Sequence, residues 1–354
     1  MAKGLIPALR SGSIREVGAA VKANALEARQ PKAVVEAGRL AFQAALELIH
    51  KHGADLNASY RNYRALHALI QEKPEAQVAK TQAERLKCLD WLLSHGADPE
   101  ELGAWPKART LIIAAFAGRR AYVKRLQKAG ARMDGFTGAA LGDCDLVEKA
   151  LREQPGFARA RDQGILTALQ CAAGSRVAGP AAREVARLLL DAGAEPDART
   201  RSWGEEVDAA SFAVSAGNAA VFRLLLDRGA SADAALWPAV WKGHWEMAKS
   251  ALERGAGPDR CAKDGRPLLN DLIRWGQIGQ MMWLLERGAN PNLPDSSGWT
   301  AVHQAASMGN LRIMTALMEA GGDPLRPDHH SRTPIRIAQA SGRHKLVAVI
   351  AARK

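Results

Sequence analysis

Cysteine is sparse in this chain, with four residues in 354. Cys88, Cys144, Cys171 and Cys261 lie too far apart to form a disulfide framework, and no Cys-x-x-Cys pair offers metal ligands or a redox couple. They read as reduced, buried thiols of a cytoplasmic protein. No apolar run approaches the ~18 residues of a membrane span, so no membrane contact is expected. There is no Gly-rich phosphate loop, no His-Glu-x-x-His, no Gly-x-Ser-x-Gly and no spaced metal-ligand set. These absences argue against an enzyme, a cofactor and a bound metal. The N-terminus lacks the apolar core of a signal peptide. Its spaced Lys3, Arg10, Arg15 and Lys22, with few acids nearby, leave a transit peptide as the lesser reading. Phe and Tyr are also scarce, at six and three.

Charge of one sign is in excess. The net charge of +12 and pI near 9.8 raise the possibility of an anionic partner. Residues 1–134 hold 22 Lys/Arg against 13 Asp/Glu, and the rest hold 27 against 24. The basic character is therefore mostly N-terminal.

A chain of this size would ordinarily suggest two or three domains. Internal repetition changes that expectation, because stacked repeats share one core. A Gly-Ala or Gly-Gly exit recurs at Gly53, Gly96, Gly130, Gly193, Gly229, Gly255, Gly288 and Gly321, with Pro155-Gly156 as a degenerate member. Successive spacings are 43, 34, 26, 37, 36, 26, 33 and 33 residues. Glycine is expected there because a left-handed C′ position ends each helix, and that conformation costs a residue with a side chain more.

The clearest unit runs Gly298-Trp299-Thr300-Ala301-Val302-His303, then Ala305-Ala306, Gly309-Asn310, an apolar second helix and Gly321-Gly322. With it as a ruler, residues 14–29 and 32–52 predict two helices of an irregular N-terminal cap, residues 1–57. Arg64-Ala65-Leu66-His67 opens the second unit, whose second helix, 84–94, is delayed. The third unit runs from Arg109 to Gly130. The fourth, 136–141 with 146–153, and the seventh, from 234–242, are trimmed to almost no hairpin. The fifth starts Thr167-Ala168-Leu169-Gln170 and carries an inserted loop, 174–180. The sixth has an extended hairpin, 199–208. The eighth has Pro267-Leu268-Leu269-Asn270 and a second helix at 280–286. The tenth begins Thr333-Pro334-Ile335 and serves as a capping unit, 333–354, of one continuous array over 58–354.

These motifs resemble the ankyrin-repeat family over roughly residues 60–354, with Ala301 and Val302 standing where Pro-Leu is usual. The resemblance implies an all-α, ankyrin-type solenoid of about ten stacked helix pairs with short or missing β-hairpin fingers. It also implies a binding scaffold that uses finger tips and the first-helix face, although fold alone does not establish function. His67 and His303 take the family's Thr-x-x-His position, where a structural hydrogen bond to local backbone is expected. Thr300 and Thr333 read as N-terminal caps.

Nine Trp stand out against so few other rings, and seven follow residue 200. Trp91 and Trp283 precede Leu-Leu in a second helix and read as core. Trp245 reads as half buried. Trp241 and Trp275 fall near first-helix ends, Trp237 takes the histidine column, and Trp203, Trp299 and Trp105 lie on fingers. A groove from the sixth to ninth unit would present Trp203, Trp237, Trp241, Trp275 and Trp299, with Arg201, Arg266 and Arg274 beside it and Glu206 on the long finger. Exposed Trp would be binding hot spots. The competing reading is that these rings fill gaps between irregular repeats. The functional expectation is a monomeric scaffold that binds another protein or peptide. The alternatives are a nucleic-acid binder using basic charge and stacking rings, and an enzyme using Glu205, Glu206 and Asp208.

Overall fold

The computed structural model describes residues 4–71, 80–103, 107–202, 205–261 and 265–352. The chain divides into two compact units, Met1–Ala230 and Ser231–Lys354.

The first unit holds α1 (Leu5–Arg10), α2 (Ile14–Ala23), α3 (Ala25–Ala28), α4 (Pro31–Arg39), α5 (Gln43–Lys51), α6 (Ala65–Gln71), α7 (Gln82–Ser94) and α8 (Thr110–Phe116). It continues with α9 (Arg120–Lys128), α10 (Gly135–Leu141), α11 (Cys144–Glu153), α12 (Ala168–Gly174), α13 (Ala181–Asp191), α14 (Ala209–Ala216) and α15 (Ala219–Asp227). The only strands among the described residues, β1 (Thr200–Ser202) and β2 (Glu205–Val207), pair antiparallel on the sixth unit's long finger, with Arg201 opposite Glu206. The second unit holds α16 (Asp233–Trp241), α17 (Trp245–Glu253), α18 (Leu268–Arg274), α19 (Ile278–Leu285), α20 (Ala301–Met308), α21 (Leu311–Glu319), α22 (Pro334–Ala340) and α23 (His344–Ala352).

The N-terminal segment differs from its expected two helices. Asn24 breaks the first with an extended backbone, its side chain accepting from Leu26 N. Ala41, at φ 52°, breaks the second. The cap therefore resolves into two helix pairs, α1 with α2 and α4 with α5, and Pro31 opens α4 as expected.

Two glycine columns set the repeat. The exit glycines adopt φ between 82° and 91°, from Gly288 to Gly96. A second set closes the first helices, with φ 70° at Gly243, 69° at Gly276, 70° at Gly309 and 65° at Gly342. Between these columns, small residues let first helices approach one another. Ala114-Ala115, Ala139-Ala140, Ala172-Ala173 and Ala305-Ala306 are fully buried. The second helices bury Leu89, Leu126, Leu189, Leu225 and Leu317 beneath them.

In the first unit the trimmed fourth repeat lets its neighbours meet across it. A Cβ on Gly164, on the fifth finger, would collide with the Lys107 carbonyl. Phe116 of α8 packs against Phe212 of α14 with ring centroids 5.5 Å apart, and a Cβ on Gly174 would meet the Phe116 ring at 2.7 Å. The inserted loop crosses the same helix ends. Arg176 N donates to Ala115 O (3.0 Å), Ser175 Oγ to Ala140 O (2.6 Å) and Arg176 Nη2 to Ser215 O (2.7 Å).

Candidate functional site

The histidine column is where repeat joins repeat. His303 Nε2 donates to Arg332 O (3.1 Å), while Nδ1 accepts from Thr300 N (3.2 Å). Asn270 Nδ2 donates to Trp299 O (3.0 Å), and Gln170 Nε2 to Ala198 O (2.8 Å). His67 meets the Thr110 hydroxyl at 3.2 Å, a partner in the next repeat. Burial holds the His67 pKa down to about 3, helped by the Arg64 charge, and burial also lowers that of His303. Thr300 and Thr333 cap their helices, accepting from His303 N and Arg336 N.

Trp237 interrupts this column. Its indole Nε1 is buried and has no hydrogen-bond partner among the described residues. The ring instead stacks on Trp241 one turn later, with centroids 5.4 Å apart and planes 11° apart. Trp241 in turn meets Trp275 edge-on at 6.3 Å and 84°. Trp275 is 61% exposed, and the Arg274 guanidinium sits 5.7 Å from its ring centroid. Rings thus link α16 to the end of α18. Similarly, Trp245 of α17 tilts against Trp283 of α19 at 5.4 Å.

Glu206, Asp208, Arg266 and Trp299 each have their own local partners. Trp203 and Trp105 lie outside the described residues. Arg201 is exposed in β1, and Glu206 pairs with Arg199 at 3.1 Å. Asp208 is buried as the cap of α14, accepting from Ser211 N and Oγ at 2.8 Å each. Glu206 and Asp208 are thus engaged separately, and the Glu205 side chain lies outside the described residues. Arg266 is half buried, 3.6 Å from the buried Asp271. Trp299 is half buried between His303 (5.2 Å) and Arg332 (5.3 Å), and its N–H donates to Gln304 Oε1 (3.2 Å). Its ring joins two repeats.

Several expectations are corrected. Trp91 and Trp283 are half buried rather than core: Trp91 stacks on His95 at 4.3 Å, and Arg287 covers Trp283 at 3.9 Å. Trp245 is 38% exposed. Cys88 and Cys171 are buried, and burial raises both thiols, Cys88 to about 12. Cys144 is only half buried and Cys261 is exposed.

The sequence reading missed Lys242 and Met308. Each stands, like Trp275, immediately before a glycine that closes a first helix, so the position is visible in the sequence once that second glycine column is aligned. Both are exposed.

Residues 269–318 match the family model described as ankyrin repeats (many copies). The crystal structure of the ankyrin repeat domain of Bcl-3, described as a unique member of the IkappaB protein family, covers 62% of this chain and 98% of its own, at 26% identity and TM-score 0.52. The chain has an ankyrin-repeat fold, and residues 269–318 carry the family's sequence pattern. The human ASB11 ankyrin repeat domain is also similar, at 19% identity and TM-score 0.48, covering 63% of this chain and 98% of its own. No curated protein matches. In this array an inter-repeat hydrogen bond is made at His303, and stacked indoles stand at the corresponding Trp237. Among the described residues no three metal-ligating side chains cluster, and no helix is long and apolar enough to cross a membrane.

Proposed function

We propose that this ankyrin-repeat chain is a non-catalytic scaffold that binds another protein through the tryptophan face of α16 and α18. The observation that carries this reading is Trp275, a large ring left 61% exposed beside Trp241 rather than covered. Contiguous exposed apolar patches mark interaction surfaces, and Trp is enriched among interface residues whose truncation costs about 2 kcal/mol or more. Trp237 supports the face from behind by stacking on Trp241. The hairpin residues Arg201 and Glu206 belong to the other compact unit and are not needed for this contact.

Affinity capture on the tagged chain, with and without nuclease, tests the reading. A protein retained after nuclease, lost on Trp275→Ala and accompanied by an unchanged melting transition, supports it. Retention on Trp275→Ala and Trp241→Ala alike would sink it, and unfolding of both variants would make the rings structural.

A further inference from the structure

The face that presents Trp275 has a charge pattern as well as rings. Four turns follow the first helices of the second unit, at residues 241–244, 274–277, 307–311 and 340–344, and none contains Asp or Glu. Trp275 and Met308 occupy the same position in successive turns and are 61% and 39% exposed. Lys242 holds that position in the turn before, and Arg274 lies beside Trp275. Arg343 reaches back: a Cβ on Gly309 would lie 2.6 Å from Arg343 Nε, so its side chain crosses the turn next to Met308. One cation therefore stands at each of three successive turns, beside a row of apolar side chains.

Spacing distinguishes the possible occupants. Packed helix layers are about 10 Å apart, and an extended chain covers that distance in about three residues. A nucleic-acid strand carries a charge every ~3.4 Å along a duplex, much denser than one cation per layer, and Met308 offers no flat face for a base.

We infer that the occupant of this face is an extended acidic segment of a partner protein. Its bulky apolar side chains seat on Trp241, Trp275 and Met308, and its carboxylates, about every third residue, meet Lys242, Arg274 and Arg343. This rests on the tryptophan face being a protein-binding surface and adds the chemistry of what it binds.

The test pans random peptides of about a dozen residues, long enough to cross the three turns, displayed on phage. They are selected on the full chain after depletion on the Trp275→Ala chain. Survivors should carry Asp or Glu at about every third position around Leu, Phe or Trp. A synthetic copy should bind about thirtyfold more weakly to Trp275→Ala. It should bind several-fold more weakly to Arg274→Glu, and its affinity should fall as salt rises. Survivors that are neutral or basic would overturn the acidic partner while leaving the protein-binding face standing. An absence of survivors would overturn both. Oligothymidylate, or vesicles of phosphatidylserine, binding more tightly than the selected peptide and in a Trp275-dependent way would replace the inference with a nucleic-acid or membrane partner.

Discussion

Phe116 and Phe212 lie with ring centroids 5.5 Å apart although two repeats, the fourth and fifth, lie between theirs. The small α10, with Gly135, Gly138, Ala139 and Ala140, and its missing finger allow the third repeat to touch the fifth and sixth. This closes the first-helix face at that point. Phe212 is 2% exposed, so Phe212→Ala should cost about 3–5 kcal/mol. Trp275→Ala should change stability by less than about 0.5 kcal/mol. Urea unfolding followed by circular dichroism gives both, and equal losses would contradict the assignment of one ring to the core and the other to a surface.

The fifth finger against the third gives a sharper test. Gly164 has no room for a Cβ because the Lys107 carbonyl occupies that space. Gly164→Ala should destabilise by about 1–3 kcal/mol, since backbone must move. Gly18 sits inside α2 with nothing within 4 Å of its would-be Cβ. Gly18→Ala should stabilise by roughly 0.5–1 kcal/mol. Thermal melts of the two variants should therefore shift in opposite directions.

His67 makes stability depend on pH. Its pKa is about 3 folded against 6.5 unfolded, so the unfolded chain takes up a proton first as pH falls. The stabilisation from keeping the ring neutral is complete above the unfolded value. It is lost on acidification from pH 6.5 towards 3, by about 1.4 kcal/mol per unit. Denaturation midpoints at pH 7 and pH 5 should differ accordingly, and His67→Asn should flatten the difference. An unchanged slope would mean that His67 is not the group that titrates.

Trp237 and His303 occupy one column with opposite hydrogen-bond outcomes. Trp237→Phe removes an unpaired buried donor and keeps a ring on Trp241, so it should be neutral or stabilise by about 1 kcal/mol. His303→Phe strands the Arg332 carbonyl and the Thr300 amide and should destabilise by about 1–3 kcal/mol. Scanning calorimetry on both would decide, and a large loss at Trp237 would show that its N–H has a partner after all.

The helix-pair architecture was legible because each repeat carries its instructions locally. Glycine at the C′ position, threonine at the cap and alanine in the first helix act within one or two turns, so spacing alone reveals them. Asn24 and Ala41, which split the N-terminal helices, gave no such signal, because an Asn and an Ala are ordinary residues inside a helical pattern. Trp241 and Trp275 were placed correctly at first-helix ends. The surroundings of Trp299 were not legible, since a ring on a finger can face a partner or bridge two repeats, and here Arg332 and Gln304 contact the half-buried ring.

By itself the sequence determined the repeat: where helices stop, which residues cap them and which small side chains let layers approach. These are short-range steric and hydrogen-bonding effects that survive in any tertiary context. Only the tertiary structure decided which bulky side chains are covered. Phe116 meets Phe212 because one of the intervening repeats, the fourth, is small. Trp275 stays open because the ring beside it, Trp241, reaches it edge-on and leaves most of its surface to solvent. Burial depends on what arrives from three repeats away, and no local pattern records that.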